Sequence, residues 1–178
     1  MHYTGAVRFA LASAVILAIG GPAMAFELTS SAFANGAPIP VRHTCDDANL
    51  SPALAWTAPP SGTKRLALVC EDPDAPAGTW AHWVVYDLPA GTRMLSEGVP
   101  PQKTLAGGGR QGTNDFKKIG WGGPCPPPGA AHRYYFKLFA LDAETGLDPG
   151  ATRAQVLRAI EGHTLGTAEL MGTYRRAR

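Results

Sequence analysis

The chain has 178 residues, of which 45% are hydrophobic and 17% are charged, and its formal net charge is +2. This length fits one domain or two small ones, the hydrophobic fraction excludes an intrinsically disordered protein, and the balanced charge is atypical of a nucleic-acid-binding protein. The chain contains 21 glycines and 16 prolines without a collagen-like period. These figures leave a compact globular domain that is rich in loops.

The first 25 residues contain the three parts of a secretion signal in the expected order. Arg8 supplies a positive charge, residues 9–19 are apolar apart from Ser13, and Ala23-Met24-Ala25 provides the small residues that a signal peptidase recognises. The apolar stretch is shorter than the roughly 20 residues that cross a bilayer, and no run in the rest of the chain approaches that length. We therefore predict a signal peptide cleaved after Ala25, a single mature domain over 26–178 without a transmembrane segment, and a periplasmic or secreted location.

Three short runs rich in branched and aromatic residues predict strands at 66–70, 83–88 and 133–141. In the third run Tyr134, Phe136 and Leu138 alternate with more polar neighbours, which is typical of a strand with one buried face. Clusters of glycine, proline and aspartate separate the runs and predict turns. Spaced strands with such breaks favour an antiparallel β-sandwich over alternating strand–helix units.

One helix is predicted near the C-terminus. Thr152 can cap it, and Gln155 three residues later completes a capping-box pattern. Its apolar side is formed by Val156, Leu157 and Ile160. Gly162 follows as a natural stop, and a closing strand is predicted at 167–174.

Residues 95–129 show little periodicity and many breakers, and a loop of that length usually builds a site or is disordered. Within it, residues 107–112 match the G-x-G-x-x-G pattern of dinucleotide-binding proteins. That pattern requires a preceding strand and a following helix, and neither flank qualifies. We therefore treat the match as accidental.

Three cysteines lie in the predicted mature chain, and an oxidising compartment permits one disulfide between two of them. Cys70 lies in an apolar run, where a cysteine is most often a small buried hydrophobe. Cys45 and Cys125 both lie in loop-like sequence, so they are the better candidates for a bridge. No C-x-x-C pair occurs, which argues against a thioredoxin-type or structural zinc site.

Polar residues cluster where the predicted strands end or begin. Asp72 and Asp74 follow the first strand in a proline-stiffened turn, His82 opens the second, and His132 opens the third after the rigid segment 122–129. If these strand ends meet at one rim of a sandwich, two imidazoles and two carboxylates form a small-ligand pocket.

In these residues the chain resembles the phosphatidylethanolamine-binding protein family, also called Raf kinase inhibitor-like proteins, in its bacterial YbhB/YbcL branch. The resemblance runs through nearly the whole mature chain. The motifs that carry it are His43-Thr44-Cys45-Asp46, residues 49–56 (NLSPALAW), residues 72–76 (DPDAP), His82-Trp83, residues 122–127 (GGPCPP), His132-Arg133-Tyr134 and residues 169–174 (ELMGTY).

The resemblance implies a mostly β fold, an antiparallel β-sandwich with one or two short helices, including one near the C-terminus. It also implies a small pocket at one end that takes phosphate-like groups, including the phosphoethanolamine head group. Carried over by position, the ligand-binding residues are Asp72, Asp74, His82, Gly123, Pro124, Cys125, Pro126, His132 and Tyr134. No cofactor and no metal are implied.

We expect His82 and His132 to donate N–H bonds to the oxygens of a small anionic ligand, with Asp72 orienting one imidazole. Binding should then strengthen as the pH falls through about 6.5, the unperturbed histidine value. No nucleophile has a candidate base beside it in a recognisable pattern, so we expect a binding protein rather than an enzyme. Modulation of a protein partner is compatible with such a site.

Two other classes of function stay open. The first is an exported metal- or cysteine-dependent hydrolase or lyase, although no H-x-x-x-H or comparable ligand spacing supports it. The second is a protease or kinase inhibitor that acts through the rim of the pocket. Export would separate this chain from a cytosolic kinase, so that partner is not carried over from the family.

Overall fold

The computed structural model describes residues 1–2 and 25–176. The predicted signal peptide lies outside the described residues except at its two ends, and its cleavage stays a prediction. Residues 25–176 form nine strands, one α-helix and a short 3-10 turn at Val41–His43. In chain order the elements are β1 (Leu28–Ser30), β2 (Leu54–Trp56), β3 (Arg65–Asp72), β4 (Trp80–Pro89), β5 (Met94–Leu95), β6 (Arg110–Thr113), β7 (His132–Leu141), β8 (Gly150–Thr152), α1 (Arg153–Ala159) and β9 (Thr164–Tyr174). No helix in this described part is long and apolar enough to cross a membrane.

The strands form two sheets that pack face to face. The smaller sheet has the order β1-β2-β5, and the larger has the order β8-β6-β4-β3-β7-β9. Side chains from both sheets share one buried core, including Leu54 and Trp56 from the smaller sheet and Leu68, Trp83 and Phe136 from the larger. The predicted mostly β sandwich with a helix near the C-terminus is confirmed.

The sandwich departs from a purely antiparallel arrangement at one pairing. β6 and β8 run parallel, whereas the other paired strands are antiparallel in the described chain. A two-residue hairpin cannot join parallel neighbours, but the long connection between β6 and β8, which contains β7, lets the chain return in the same direction.

The alternation predicted for the third strand is confirmed in β7. Tyr134, Phe136, Leu138 and Ala140 are buried in the core between the sheets, while Tyr135, Lys137 and Phe139 are only partly buried. Such alternation pins the register of a strand, because a slip of one residue would move every apolar side chain to the other face.

The predicted helix is confirmed, and it covers the second face of the larger sheet. Thr152 accepts a hydrogen bond from the backbone of Gln155, and the Gln155 side chain reaches back to the backbone of Thr152. Val156 and Ile160 are buried against Val84 of β4, whereas Leu157 is only partly buried. The reciprocal cap satisfies two backbone donors that the start of a helix otherwise leaves without a partner.

Several predicted strand limits were too narrow. β3 continues to Asp72, β4 begins at Trp80, and β9 begins at Thr164. The ladder pairs backbone groups whatever the polarity of the side chain, so pairing continues beyond the apolar run that marks the strand in the sequence.

The segment 95–129 contains a strand, β6, that no periodic pattern in its sequence predicted. A Cβ added at Gly112 in this strand would lie 2.2 Å from the carbonyl oxygen of Ala151 and 2.9 Å from Val84. The glycine is therefore needed for close packing of neighbouring backbones. The G-x-G-x-x-G match runs into this strand rather than into a helix, so it is not a dinucleotide site.

Candidate functional site

Three neighbouring strands of the larger sheet have the ends that carry candidate site residues at the same edge of the sandwich, which we call the rim. β3 ends at Asp72, β4 begins at Trp80, and β7 begins at His132. Because β3 is antiparallel to both of its neighbours, the end of β3 lies beside the starts of the other two strands. The predicted meeting of these segments at one rim is therefore what the fold produces.

A β-bulge turns His82 toward this rim. Cys70 lies opposite Trp83, but Glu71 lies opposite Ala81, so His82 is an extra residue without a partner on β3. Simple alternation would place His82 on the same face as Val84, which packs under α1. The bulge places it instead on the face of Tyr134, whose ring its own ring meets edge-on at 5.1 Å between centroids.

His132 and Asp72 form a buried pair. Nδ1 of His132 lies 2.8 Å from Oδ2 of Asp72, and the exposed fractions of the two residues are 9% and 3%. A carboxylate only accepts, so Nδ1 carries the proton, and Nε2 is the ring nitrogen that remains for a ligand. The second carboxylate oxygen of Asp72 accepts the backbone N–H of Asp74 at 2.8 Å, which fixes the carboxylate in place.

His82 is anchored by a different acceptor. Its Nδ1 lies 2.5 Å from the carbonyl oxygen of Gly122, so this nitrogen also carries a proton and Nε2 again remains. Burial lowers the pKa of His82 below its usual value, although the Gly122 carbonyl and the Asp72 carboxylate favour the charged ring. His82 is therefore neutral near pH 7 and presents a lone pair, not a donor, at Nε2.

The rim encloses a cavity of about 220 Å³. Asp72, His82 and His132 form its polar side, and Trp80 and Phe116 contribute aromatic surface. The remaining lining residues are Ala75, Pro76, Ala77, Cys125, Pro126 and Pro127. A small, largely apolar cavity with a few convergent polar groups is the usual form of a small-ligand site.

The cavity wall is stiffened by the predicted disulfide. Cys45 and Cys125 are bonded with their Cα atoms 5.4 Å apart, which confirms the pairing, while Cys70 is free and buried. The bond ties the segment that contributes Cys125 to the loop after the 3-10 turn. It also removes the thiol that a nucleophilic role for Cys125 would need.

Gly123 makes a second link between the same two segments. Its N–H donates to Oδ1 of Asn49 at 2.8 Å, and a Cβ at this position would lie 2.3 Å from the carbonyl oxygen of His43. Only glycine allows the wall to approach the neighbouring loop this closely.

The structure does not bring all of the predicted ligand residues to the cavity surface. Gly123 and Pro124 lie behind the surface, where the Pro124 carbonyl accepts the N–H of Cys45. Tyr134 lies behind His82 and is fully buried. Asp74 is engaged elsewhere, because its carboxylate accepts three hydrogen bonds from Arg133 at 2.7–3.0 Å.

Trp80, Phe116 and Pro127 line the cavity but were not among the predicted ligand residues. Trp80 lies two positions before His82 at the start of the same strand. This proximity to a predicted site residue could have identified Trp80 from the sequence. Phe116 follows β6 in the segment 95–129, whose sequence shows no periodic pattern that would place it at the site. Its ring meets those of Trp80 and His82 at centroid distances of 5.4 Å each.

Two buried donors at the site have no hydrogen-bond partner among the described residues: Nε1 of Trp80 and the hydroxyl of Tyr134. Burial and the Asp72 carboxylate raise the pKa of Tyr134 well above its usual value, so its hydroxyl stays protonated. Buried polar groups are normally hydrogen-bonded. The indole N–H of Trp80 and the hydroxyl of Tyr134 are therefore two donors beside the cavity that are unpaired within the described chain.

Comparisons with known proteins place the chain among related sequences and folds. The family model described as "Phosphatidylethanolamine-binding protein" matches residues 29–175. The chain is 49% identical to the UPF0098 protein of Methanothermobacter thermautotrophicus over 84% of this chain and 99% of the relative. It is 47% identical to the UPF0098 protein of Aquifex aeolicus over 96% of each.

Two solved structures share the fold. One is a putative phosphatidylethanolamine-binding protein homologue from Chlamydia trachomatis, with 41% identity and a TM-score of 0.79 over 87% of this chain and all of that chain. The other is YbcL of E. coli, described as a new member of the mammalian PEBP family, with 34% identity and a TM-score of 0.80 over 85% of this chain and 99% of that chain.

Proposed function

The chain belongs to the phosphatidylethanolamine-binding protein family, and from that premise we propose that it binds a small phosphate-bearing ligand in the cavity lined by Asp72, His82 and His132. Members of this family are in general ligand-binding proteins rather than enzymes. The ligand proposed is inorganic phosphate or a phosphate ester, such as the head group of a phospholipid.

The observation that carries the proposal is the anchoring of both imidazoles through Nδ1. The Gly122 carbonyl holds one ring and the Asp72 carboxylate holds the other. Both rings line one cavity, and each has Nε2 left for a ligand. Two pre-oriented nitrogens at one small cavity suit a tetrahedral oxyanion, which offers several oxygens at close spacing.

The same anchoring makes binding depend on protons. An anchored ring donates from Nε2 only when it is charged, whereas a neutral ring accepts a hydrogen bond from a protonated phosphate oxygen. In either case one proton lies between each ring and the ligand. Binding of the phosphate dianion near neutral pH therefore takes up protons, and the affinity increases as the pH falls.

The aromatic part of the cavity supports a substituted phosphate. Trp80 and Phe116 provide two rings beside the polar side, and an ammonium group over an aromatic face is stabilised by the ring quadrupole. Phosphoethanolamine combines an ammonium with a phosphate. Its head group therefore fits both halves of the cavity in chemical terms.

Calorimetric titration with inorganic phosphate and phosphoethanolamine at pH 6 tests the proposal. We expect both to bind, and we expect His132→Ala to weaken binding about tenfold or more, as for loss of a hydrogen bond to a charged group. His163→Ala is a matched control, because His163 forms the same 2.8 Å contact with Asp142 on the exposed surface. Absence of binding, or equal loss in both variants, would contradict the proposal.

The site is also proposed to operate outside the cytoplasm. The signal-like residues 1–25 support this location, and so does the Cys45–Cys125 disulfide, because disulfides persist in oxidising compartments. Amino-terminal sequencing of protein from the cell envelope tests it. Phe26 as the first residue is the expected result, and an intact Met1 would contradict it. Isolation of a bound protein from the same compartment would test whether this chain modulates a protein partner through the rim.

A further inference from the structure

A second cavity adjoins the first one. It also measures about 220 Å³, and the two share Phe116 and Cys125 as a common wall. Its other lining residues are Cys45, Asn49, Lys118, Trp121, Gly122 and Gly123. Phe116 is exposed on the ridge between the cavities. The two cavities therefore lie on either side of residues that they share.

The second cavity has a positive character that the first one lacks. Lys118 is the one charged residue in its lining, and the lining contains no carboxylate. No acidic group among the described residues forms a salt bridge with Lys118. Asp46 on the adjoining loop is held instead by Tyr174 and Arg176, at 2.7 and 2.8 Å. The ammonium of Lys118 is therefore free to pair with an anion of a ligand.

Two local contacts position donors around this cavity. The backbone N–H of Lys118 donates to Oδ1 of Asn114 at 3.1 Å, and the backbone carbonyl of Lys118 accepts the N–H of Asn114 at 2.9 Å. Oδ1 of Asn49 accepts the Gly123 N–H, so the amide NH2 of Asn49 keeps both of its donor hydrogens. The ammonium and the amide are thus both donors, and the side chains in the lining offer no competing carboxylate acceptor.

We infer that the second cavity binds a carboxylate carried by the same ligand whose phosphate occupies the first cavity. This inference rests on the proposed phosphate site and names its ligand class: a phosphate ester with a carboxylate on a short organic chain. Phosphoserine has this chemistry both as a soluble compound and as the head group of phosphatidylserine.

Phosphoserine and phosphoethanolamine differ only by a carboxylate, so the difference between their affinities measures what the second cavity contributes to binding. We expect phosphoserine to bind the full chain about threefold to tenfold more tightly, the range of a partly exposed charge-assisted contact. We expect Lys118→Gln to abolish that difference, and to weaken phosphoserine binding more than phosphoethanolamine binding. Lys118 is exposed, so its replacement does not disturb the core.

Lys117→Gln is the matched control, because Lys117 is the adjacent exposed lysine and does not line the cavity. This variant should keep the preference for phosphoserine. Equal affinity for the two compounds in the wild type, or a preference that survives Lys118→Gln, would overturn the inference. The proposed phosphate site would stand in that case if both compounds still lost affinity in His132→Ala.

Vesicles distinguish the two sources of the carboxylate. Binding to phosphatidylserine vesicles above phosphatidylglycerol vesicles of equal charge, and lost in Lys118→Gln, would support the inference with a lipid head group as the source. A preference confined to soluble phosphoserine would support it with a free phosphate ester as the source. If no phosphate compound binds the wild type, the proposed function fails and the inference fails with it.

Discussion

Nδ1 of His132 lies 2.8 Å from Oδ2 of Asp72, although 60 residues separate the two in the chain. The contact joins the first residue of β7 to the last residue of β3. It gives Asp72 two opposite effects on an anionic ligand. The carboxylate fixes the His132 ring so that Nε2 remains for the ligand, but its negative charge also repels the ligand directly.

Two variants of Asp72 separate these effects. Asp72→Asn keeps an oxygen that can accept the Nδ1 proton of His132 but carries no charge, so we expect it to bind phosphate at least as tightly as the wild type. Asp72→Ala removes the acceptor, so we expect it to bind phosphate about tenfold more weakly. Calorimetric titration of both variants measures this. Equal losses in the two variants would assign Asp72 a structural role only.

Burial of neutral His82 predicts that stability falls in mild acid. The pKa of His82 is lowered in the fold, so below about pH 6.5 the unfolded chain binds a proton that the folded chain does not. The free energy of unfolding should therefore decrease between pH 7.5 and 5.5 on account of this residue. Asp72 and Asp115 face the ring and oppose the effect without cancelling it.

Urea unfolding of the wild type and His82→Gln at the two pH values checks that prediction. The variant should lose less stability on acidification than the wild type does. Parallel losses in the two proteins would show that other groups cause the acid dependence. Phosphate added in excess should reduce the loss in the wild type, because a bound anion favours the protonated ring.

Asp74 should contribute little to ligand binding despite its place in the DPDAP motif. Its carboxylate is held by Arg133, whose hydrogen bonds lower the pKa of Asp74 to about 2. We expect Asp74→Asn to change phosphate affinity by less than about twofold, since a partly exposed charge outside the cavity, already paired with Arg133, is screened by solvent. A tenfold loss of phosphate affinity would show that Asp74 does contribute to ligand binding.

The Asp74–Arg133 pair should instead appear in the acid dependence of stability. A lowered pKa means that the contribution is present above about pH 3.8, the unfolded value, and is lost as the pH falls through about 2. Asp74→Asn should therefore lower the melting temperature slightly at pH 5 and less at pH 2. Melting curves recorded by circular dichroism at these two values provide the measurement.

Loss of the Cys45–Cys125 disulfide should affect both stability and binding. The bond closes a loop of 80 residues, and removal of such a bridge costs about 2–5 kcal/mol of unfolding free energy. We expect Cys45→Ser/Cys125→Ser to unfold at lower urea concentration and to bind phosphate more weakly, because Cys125 lines the cavity.

A reductant provides the control for this prediction. Dithiothreitol should destabilise the wild type and leave the double serine variant unchanged, since Cys70 forms no bridge. If the wild type keeps its stability and its phosphate affinity after full reduction, the disulfide does not shape the wall.

Local patterns in the sequence determined those elements in which the interacting residues lie close together along the chain. The capping box of Thr152 and Gln155 depends on residues three positions apart, and the buried face of β7 follows from strict alternation. Both were predicted correctly because neighbouring residues carry the whole signal. The fold class followed from strand spacing and from the family motifs. The site residues Asp72, His82 and His132 were recognised through the same motifs.

Tertiary structure decided where those side chains point. Pairing with β3 creates the bulge that turns His82 away from α1 and toward the cavity, and an arginine on β7 draws Asp74 outward. Phe116 reaches the cavity from a segment without periodicity, and Lys118 becomes the charge of a second cavity only through that fold. The interactions that determine register, bulges and salt bridges form between segments far apart in the chain. A short stretch of sequence therefore does not contain both partners of these interactions.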